Sequence, residues 1–274
     1  MTRIDLTGRP IAITGASSGI GAATAMACAK AGMPVALGAR RVDKLEAVAA
    51  QIREAGGRAV CVPMDVTSHA DCAALVGTCV REFGSIYAVY ANAGYGEESP
   101  LHTMTDESVR AMFETNYFGS LNVIRPALAE MLRNPGAHRG HVLWCSSCLG
   151  RMAIPNYSVY CATKAAQAMS ATAMRHELRG HGVHVSSVHP IGTRTEFFEQ
   201  VQKRSGSAER TTITMPSSMY QSADLVAEMT VKCLRRPRGE VWTGMGVLVR
   251  TGMGLATIMP GAADWALRRM KGVG

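Results

Sequence analysis

The sequence predicts a single α/β domain in which a parallel sheet of about seven strands is covered by helices on both faces. Short apolar runs alternate with longer stretches whose apolar residues share one helical face, the patterns of buried strands and amphipathic helices. Helices between strands carry the chain back across the sheet, so the strands run parallel. The 274 residues are enough for one large core and few for two.

Four strands and three helices are predicted in the first half of the chain. Turn residues separate them, as Gly32 does after the first helix and Gly56-Gly57 after the second. The strands are 11–14, 35–38, 59–63 and 86–91. The first helix is 22–31, and the second is capped by Asp43 and buries Leu45, Val48 and Ile52. The third helix starts at Ser68 and ends at Gly84.

In the second half of the chain the alternation is regular as far as Thr195 and looser beyond it. A long helix capped by Asp106 extends through Met131. It is followed by strand 142–145, helix 158–179, strand 183–188, a helix over 223–234 and a short strand over 240–242. No linker interrupts this pattern, so we expect residues 1–274 to form one domain.

The composition disfavours other classes of protein. A net charge of +8 invites a nucleic-acid partner, but the basic residues are scattered and aromatic residues are only 5%, whereas such partners need concentrated charge and stacking rings. No apolar run is long enough for a membrane-spanning helix. The polar start of the chain and eight cysteines that lie mostly within predicted elements favour a cytoplasmic protein with reduced thiols.

Patterns typical of metal sites are incomplete. Cys145 and Cys148 fit a C-x-x-C pattern, but no second pair accompanies them, so we expect packing rather than redox or metal chemistry. His176 lacks a second histidine four residues later, and we expect no metal site. His189 is interpreted as a core or rim histidine with satisfied hydrogen bonds.

A glycine turn joins the first strand to the first helix. Ile11–Thr14 is followed by Gly15, Gly19 and Gly21, and then by a helix-forming run. Glycines allow the chain to turn sharply and to approach a pyrophosphate closely, and the start of a helix attracts anions. The sequence therefore predicts a dinucleotide site at this turn.

Tyr160 and Lys164 lie four residues apart in a predicted helix and so share one face. A tyrosine hydroxyl normally titrates near pH ~10, and a neighbouring ammonium is expected to lower that pKa. Ser147 lies thirteen residues before the tyrosine and adds a hydroxyl donor. Strand alternation sends Ser146 and Ser147 to opposite faces, so only one of the two is expected to face the site.

Together these residues resemble the short-chain dehydrogenase/reductase family, from about Gly8 to Thr195. Thr14–Gly21 is similar to the family's cofactor motif, Asn92-Ala93-Gly94 to its structural motif and Asp65-Val66 to its adenine contact. The resemblance implies a Rossmann-like doubly wound sheet and a nicotinamide dinucleotide cofactor. The residues it implies in cofactor binding are Gly15, Ser17, Ser18, Gly19, Ile20, Gly21, Arg40, Arg41, Asp65, Val66, Asn92, Ala93, Gly94, Tyr160, Lys164, Pro190, Ile191 and Thr195.

The residues after the second strand predict which cofactor is used. The ribose 2′ position of the adenosine lies there in this fold, and family members that use NAD carry an acidic residue just before it. Here neutral Ala39 is followed by Arg40 and Arg41. A charge-assisted hydrogen bond contributes about 1.5–3 kcal/mol, so we expect NADP(H) to be preferred over NAD(H).

The resemblance also implies a catalytic tetrad of Asn116, Ser147, Tyr160 and Lys164. Tyr160 would donate a proton to the carbonyl oxygen that Ser147 holds, while Lys164 contacts the nicotinamide ribose and Asn116 holds a water that passes protons onward. The expected activity is NADP(H)-dependent interconversion of a ketone or aldehyde and an alcohol by hydride transfer. The alternative is a catalytically silent member of the family that binds dinucleotide as a sensor.

Two segments beyond Thr195 are expected to contact substrate or partners. Residues 196–222 occupy the place of the family's substrate lid, and residues 247–274 form a C-terminal extension. This extension is apolar and ends with cations, so it could cover the domain, a partner subunit or a membrane surface. The resemblance implies a small carbonyl or alcohol substrate and a homodimer or homotetramer formed through the two long helices.

Overall fold

Seven parallel strands form one sheet at the centre of the protein. The structure is a computed structural model and describes residues 3–205, 220–244, 250–252, 254, 259 and 261. The strands of this sheet are β1 (Ile11–Thr14), β2 (Val35–Ala39), β3 (Ala59–Pro63), β4 (Ala88–Ala91), β5 (Gly140–Cys145), β6 (Val183–His189) and β9 (Glu240–Trp242). Their order is β3-β2-β1-β4-β5-β6-β9, and neighbours run parallel.

The strand order reverses between β1 and β4. The chain builds outward from β1 to β3 and then returns to the other side of β1. In open sheets of this kind, ligands bind in the crevice that the reversal leaves outside the carboxyl ends of the strands. The residues that follow β1, β4 and β5 therefore line the place where a ligand is expected.

Helices cover the sheet in two layers with separate cores. They are α1 (Gly19–Lys30), α2 (Val42–Glu54), α3 (His69–Phe83), α4 (Asp106–Phe113), α5 (Gly119–Met131), α6 (Ser158–Glu177), α7 (Phe197–Ser205) and α8 (Ala223–Arg235). One core is shared by α1, α2 and α8, and the other by α3, α5 and α6. Alternate residues of β1 serve the two cores: Ile11 and Ile13 pack into the first and Ala12 into the second.

This architecture confirms the predicted fold class. Strands β1, β3 and β9 cover the residues predicted for them. Other boundaries differ by a few residues: β2 ends at Ala39 instead of Gly38, β4 begins at Ala88 instead of Ile86, β5 begins at Gly140 instead of Val142, β6 ends at His189 instead of Val188, α6 ends at Glu177 instead of Arg179, and α8 ends at Arg235 instead of Leu234. The first helix begins at Gly19 rather than Ala22, so part of the glycine turn is already helical.

Two helix caps were predicted too late, by two residues for α2 and by one residue for α4. The α2 helix begins at Val42 after Arg41, which places Asp43 in its first turn, where a carboxylate favours the helix dipole. Thr105 rather than Asp106 caps α4, and its hydroxyl accepts a hydrogen bond from the Ser108 backbone N–H at 3.2 Å. A threonine at this position satisfies one of the free N–H groups that begin a helix.

The long helix predicted from Asp106 through Met131 is divided in the structure. A π-helical segment, Glu114–Phe118, separates α4 from α5. Asn116 lies in this segment, and its side-chain amide exchanges two hydrogen bonds of 2.9 Å with the backbone of Tyr95. The apolar spacing on either side remains helical, so periodicity alone could not show this widening, which is common at functional sites.

The predicted lid is described in part. Its first portion forms α7, and residues 206–219 lie outside the described part of the chain. Strands β7 (Thr193–Arg194) and β8 (Gln221–Ser222) pair beside it and are too short for sequence periodicity to reveal. Most of the extension over 247–274 also lies outside the description. Within the described residues, no helix has the length and apolarity needed to cross a membrane.

Candidate active site

The glycine turn packs its backbone closely against neighbouring residues at the N-terminus of α1. Gly15 and Gly19 have φ angles of +66° and +55°, which residues with a Cβ rarely adopt. A Cβ on Gly15 would lie 2.9 Å from the Ala93 Cα, and one on Gly19 would lie 3.2 Å from the Thr195 Cβ. The free N–H groups and dipole of the α1 terminus favour an anion at this turn, so the turn fits the pyrophosphate of a dinucleotide.

Asn92 ties the end of β4 to the end of β1. The Thr14 hydroxyl accepts hydrogen bonds from the backbone N–H groups of Asn92 and Ala93 at 3.0 and 3.1 Å. The Asn92 amide donates to the Thr14 carbonyl oxygen at 2.9 Å. A Cβ on Gly21 would lie 2.6 Å from the Asn92 Nδ2, so the glycine turn and the residues after β4 form one rigid floor.

Two arginines follow β2 beside this floor. The Arg40 side chain is 69% exposed, and its Nη1 lies 3.7 Å from the Asp65 Oδ2. The Arg41 guanidinium donates to the hydroxyls of Ser17 at 3.3 Å and Ser18 at 2.5 Å. These donors and hydroxyls fit a phosphate ester on an adenosine ribose.

Val66 lies at the other side of the same crevice, after β3. It is buried, and its carbonyl oxygen accepts a hydrogen bond from the Asn122 amide at 2.9 Å. A Cβ on Gly119 would lie 2.7 Å from the Val66 Cγ2. The start of α5 thus fixes the backbone that was predicted to contact adenine.

Ser147 and Tyr160 meet at the carboxyl end of β5. Ser147 follows the strand, and its hydroxyl accepts a hydrogen bond from the Leu149 backbone N–H at 3.1 Å. Tyr160 lies in the first turn of α6, and both side chains are buried. The Ser147 hydroxyl lies close enough to Tyr160 to lower the pKa of the phenol, so both hydroxyl groups can reach one substrate oxygen.

Lys164 lies one turn after Tyr160 on the same face of α6. Its Nζ is 5.6 Å from the centroid of the Tyr160 ring. The buried ammonium donates hydrogen bonds to the Cys145 carbonyl oxygen at 2.8 Å and to the Gln167 Oε1 at 3.0 Å. Two neutral acceptors therefore hold it beside the phenol.

Burial dominates the ionisation of this pair. Desolvation raises the pKa of Tyr160 well above its ordinary value of 10.0, and the nearby Ser147 hydroxyl offsets part of that rise. Desolvation also lowers the pKa of Lys164. Excluding water from the phenolate is the largest of these effects, and the expectation that Lys164 lowers the pKa of Tyr160 stays a prediction. Tyr160 is a neutral phenol at neutral pH, which is the form that donates a proton.

Asn116 reaches the site through Gln167, a residue that the sequence interpretation missed. The Gln167 side chain is fully buried, and its Nε2 donates to the Asn116 carbonyl oxygen at 2.6 Å and to the Ser120 hydroxyl at 2.9 Å. Its Oε1 accepts from Lys164. The available signal was its place three residues after Lys164, on the same helical face.

The structure separates the two adjacent serines as expected. The Ser146 hydroxyl points away from Tyr160 and donates to the Lys164 carbonyl oxygen at 2.8 Å. Behind Ser147, the Nδ1 of His189 lies 3.1 Å from the Ser147 carbonyl oxygen and its ring stacks on Trp242 at 4.5 Å. His189 is therefore a core histidine with hydrogen-bond partners, as predicted, and it supports the backbone of Ser147.

The segment from Pro190 to Thr195 links the buried hydroxyls to the glycine turn. The Pro190 carbonyl oxygen accepts a hydrogen bond from the Cys148 N–H at 3.0 Å. Ile191 is buried, and its carbonyl oxygen accepts from the Gln221 amide at 2.5 Å. Thr195 packs on Gly19, which places this segment, predicted to bind the cofactor, beside the glycine turn.

The first turn of α7 closes over Tyr160. The rings of Phe197 and Tyr160 have centroids 5.5 Å apart, and a Cβ on Gly96 would lie 2.8 Å from the Phe197 Cζ. Phe197 thus forms part of the apolar wall around the phenol. This contact accounts for part of the burial that keeps Tyr160 protonated.

Glu196, beside Phe197, makes contacts that its sequence position did not indicate. Its carboxylate lies 2.7 Å from the Arg41 Nη1 and 2.5 Å from the Lys44 Nζ. The sequence interpretation treated Glu196 as the first lid residue. Its partners are distant in sequence, because Arg41 immediately precedes α2 and Lys44 lies within it. A pattern along the chain could therefore not reveal these ion pairs.

The cysteines near the site are reduced and buried. All eight cysteines are free, including Cys145 and Cys148. Burial raises the pKa of the Cys148 thiol to about 11. A neutral buried thiol packs as a small apolar side chain, which is the role expected for both residues.

Comparison with known proteins relates these features to established families. A family model described as short chain dehydrogenase matches residues 9–206. An uncharacterized oxidoreductase of Listeria innocua is 35% identical over 193 residues, which are 70% of this chain and 77% of the relative. A short chain dehydrogenase/reductase from Burkholderia phymatum in complex with NAD has a TM-score of 0.80 at 24% identity and shares the fold over 90% of this chain and 93% of that one. An alcohol dehydrogenase from Thermococcus sibiricus complexed with 5-hydroxy-NADP has a TM-score of 0.72 at 28% identity over 85% of this chain and 94% of that one.

Proposed function

Because the chain belongs to the short chain dehydrogenase family, we propose that it is an NADP(H)-dependent oxidoreductase that interconverts a ketone or aldehyde and an alcohol. Its similarity to oxidoreductases supports chemistry at CH–OH and C=O groups. The observation that carries the proposal is the buried group of Ser147, Tyr160 and Lys164 at the same sheet edge as the glycine turn.

The side chains are arranged to manage the proton of the reaction. When bound, the nicotinamide cofactor supplies or accepts the hydride. Tyr160 donates its proton to the substrate oxygen in reduction and accepts it in oxidation. Ser147 donates a hydrogen bond to the same oxygen, where negative charge develops in the transition state.

Lys164 stabilises the charge that proton transfer leaves on Tyr160. Its hydrogen bonds to the Cys145 carbonyl oxygen and Gln167 hold the ammonium close to the ring. A nearby positive charge favours a phenolate as it forms. Asn116 completes the proposed tetrad, and its part in holding a water stays a prediction.

The cations after β2 support NADP(H) over NAD(H). Arg40 and Arg41, with the hydroxyls of Ser17 and Ser18, surround the place proposed for the ribose 2′ position. One charge-assisted hydrogen bond to a phosphate is worth a factor of about ten or more. We expect kcat/KM to be at least about tenfold higher with NADPH than with NADH.

A carbonyl panel tests the activity directly. The purified protein is incubated with NADPH and a series of ketones and aldehydes, and NADPH absorbance is followed. We expect substrate-dependent oxidation of NADPH for at least one class of carbonyl compound. NADPH binding without oxidation across a broad panel would instead indicate a sensor, and a preference for NADH would reject the assignment of the two arginines.

Exposed apolar side chains support a homodimer or homotetramer. Phe118 and Met169 are 44% and 60% exposed, and their sequence neighbours Tyr117 and Ser170 share a hydrogen bond of 3.1 Å. The two side chains therefore lie on adjoining surfaces of the π-helical segment and α6. We propose that this surface forms the interface between copies of the chain. We also propose that the enzyme acts on a small-molecule substrate and is located in the cytoplasm. Light scattering of the purified protein measures the oligomeric state.

A further inference from the structure

Glu196 places a carboxylate among the cations that follow β2. Its Oε2 lies 2.7 Å from the Arg41 Nη1, and its Oε1 lies 2.5 Å from the Lys44 Nζ. The side chains of all three residues are between 35% and 43% exposed. One carboxylate thus holds an arginine and a lysine at the rim of the cofactor crevice.

The donors of Arg41 are committed to protein partners. One terminal nitrogen pairs with Glu196, and the other donates to the hydroxyls of Ser17 and Ser18. The neighbouring Arg40 lies 3.7 Å from the Asp65 carboxylate. A phosphate that is to use the Arg41 fork must therefore replace the carboxylate of Glu196.

The backbone next to Glu196 fixes where this carboxylate lies. Thr195 packs on Gly19 in the glycine turn, and its hydroxyl accepts a hydrogen bond from the Phe197 N–H at 3.3 Å. Phe197 packs on Tyr160 in turn. Hydrogen bonds from Lys44 and Arg41 lower the pKa of Glu196 to about 2, so the carboxylate stays charged at neutral pH.

We propose that Glu196 is a specificity-determining residue that competes with the 2′-phosphate of the cofactor for Arg41 and Lys44. The inference rests on the proposed function, because it takes the cations after β2 as the 2′-phosphate site. A cofactor with a 2′-hydroxyl leaves both ion pairs in place, whereas one with a 2′-phosphate displaces them. Glu196 therefore narrows the preference for NADP(H) over NAD(H).

The expected size of the effect follows from the exposure of the pairs. Each partly exposed ion pair is worth a factor of roughly 1.4 to 5. Glu196→Gln removes the charge from both pairs while keeping the size of the side chain. We expect the Kd for NADPH to fall roughly 2- to 25-fold and the Kd for NADH to change less than about twofold.

Titration calorimetry on the full chain measures these constants, with Glu199→Gln as the matched control. Glu199 lies in the first turn of α7, is exposed and carries the same charge. The fragments 2′,5′-ADP and 5′-AMP serve as further probes, because they isolate the phosphate from the nicotinamide end. Glu196→Gln should lower the Kd for 2′,5′-ADP as it lowers the Kd for NADPH, and it should leave the Kd for 5′-AMP unchanged. Glu199→Gln should change none of these constants. Added salt should reduce the gain.

Weaker binding of NADPH by Glu196→Gln, or an equal change for NADPH and NADH, would overturn the inference. The role of Glu196 is tested by the ratio of the Kd of the Glu196→Gln variant to the Kd of the wild type, compared between NADPH and NADH. The preference of the wild-type protein is a separate measurement, so failure of the proposed cofactor preference is distinguishable from failure of the role of Glu196.

Discussion

Gln167 joins Lys164 to Asn116 in the buried floor of the candidate site. A buried ammonium needs acceptors in place of water, and Gln167 supplies one of the two that Lys164 uses. The Nε2 of the same side chain donates hydrogen bonds to the Asn116 carbonyl oxygen and to the Ser120 hydroxyl. One side chain thus satisfies three buried polar groups.

Gln167→Leu is expected to reduce both stability and turnover. The substitution nearly keeps the volume of the side chain but removes one hydrogen-bond partner from each of these polar groups, which costs about 1–3 kcal/mol of unfolding free energy. Without its acceptor Lys164 is less firmly held, so kcat should fall more than the affinity for NADPH. Urea unfolding and steady-state kinetics measure the two effects.

Gln167→Glu is the matched variant for this test. It keeps an acceptor for Lys164 and loses the donor to Asn116, so its kcat should exceed that of Gln167→Leu. Equal kcat and equal stability in Gln167→Leu and the wild type would show that these hydrogen bonds contribute nothing.

At the scale of elements, the start of α5 positions the loop after β3. Gly119 begins α5 directly after the π-helical segment, and it leaves room for the buried Val66 side chain. The segment also turns the Asn116 amide toward the Tyr95 backbone. The π-helical segment and the start of α5 therefore position both Val66, the predicted adenine contact, and Asn116 of the predicted tetrad.

Gly119→Ala is expected to destabilise the protein by about 1–3 kcal/mol, because its Cβ would lie 2.7 Å from the Val66 Cγ2. Gly77→Ala is the control, since Gly77 lies in the interior of α3 with nothing within 4 Å of its Cβ position. That change should stabilise the protein by about 0.5–1 kcal/mol through helix propensity. Urea midpoints measure both. A Gly119→Ala variant as stable as Gly77→Ala would contradict this account of the α5 contact.

The sequence predicts elements well where a pattern repeats and less well where tertiary contacts decide. The strand over Ile11–Thr14 and the glycine turn could be predicted because a few consecutive residues determine them. The π-helical segment depends on hydrogen bonds between Asn116 and distant Tyr95. Gln167 and Glu196 likewise act through partners on other elements, so their contacts could not be read along the chain.

At the scale of the whole molecule, the sheet interior excludes charge as well as water. His141 lies in β5, is fully buried, and has its Nε2 2.8 Å from the Ser186 hydroxyl. Burial, with a smaller contribution from His184, lowers the pKa of His141 to about 3. The folded protein therefore keeps this ring neutral at pH values where an unfolded chain protonates it.

The stability of the protein should fall as the pH decreases from about 6.5 toward 3. In this window the unfolded state binds a proton that folded His141 excludes, so one such group contributes a slope of up to about 1.4 kcal/mol per pH unit. His141→Gln should have a shallower slope than the wild type, whereas His102→Gln, at an exposed position, should not. Urea unfolding at several pH values measures the slopes, and identical slopes for His141→Gln and the wild type would reject this assignment.

The central claim is that Tyr160 exchanges the proton during carbonyl reduction, and Tyr160→Phe tests it most directly. The substitution removes one hydroxyl from a buried ring, and the matched control is Tyr157→Phe, whose hydroxyl donates to Glu98 at 3.4 Å. With a carbonyl substrate found in the panel, we expect Tyr160→Phe to lower kcat by at least about 100-fold while the Kd for NADPH and the Tm stay close to wild type. We expect Tyr157→Phe to retain most of its turnover. A Tyr160→Phe protein that reduces the substrate at a rate near that of the wild type would contradict the account.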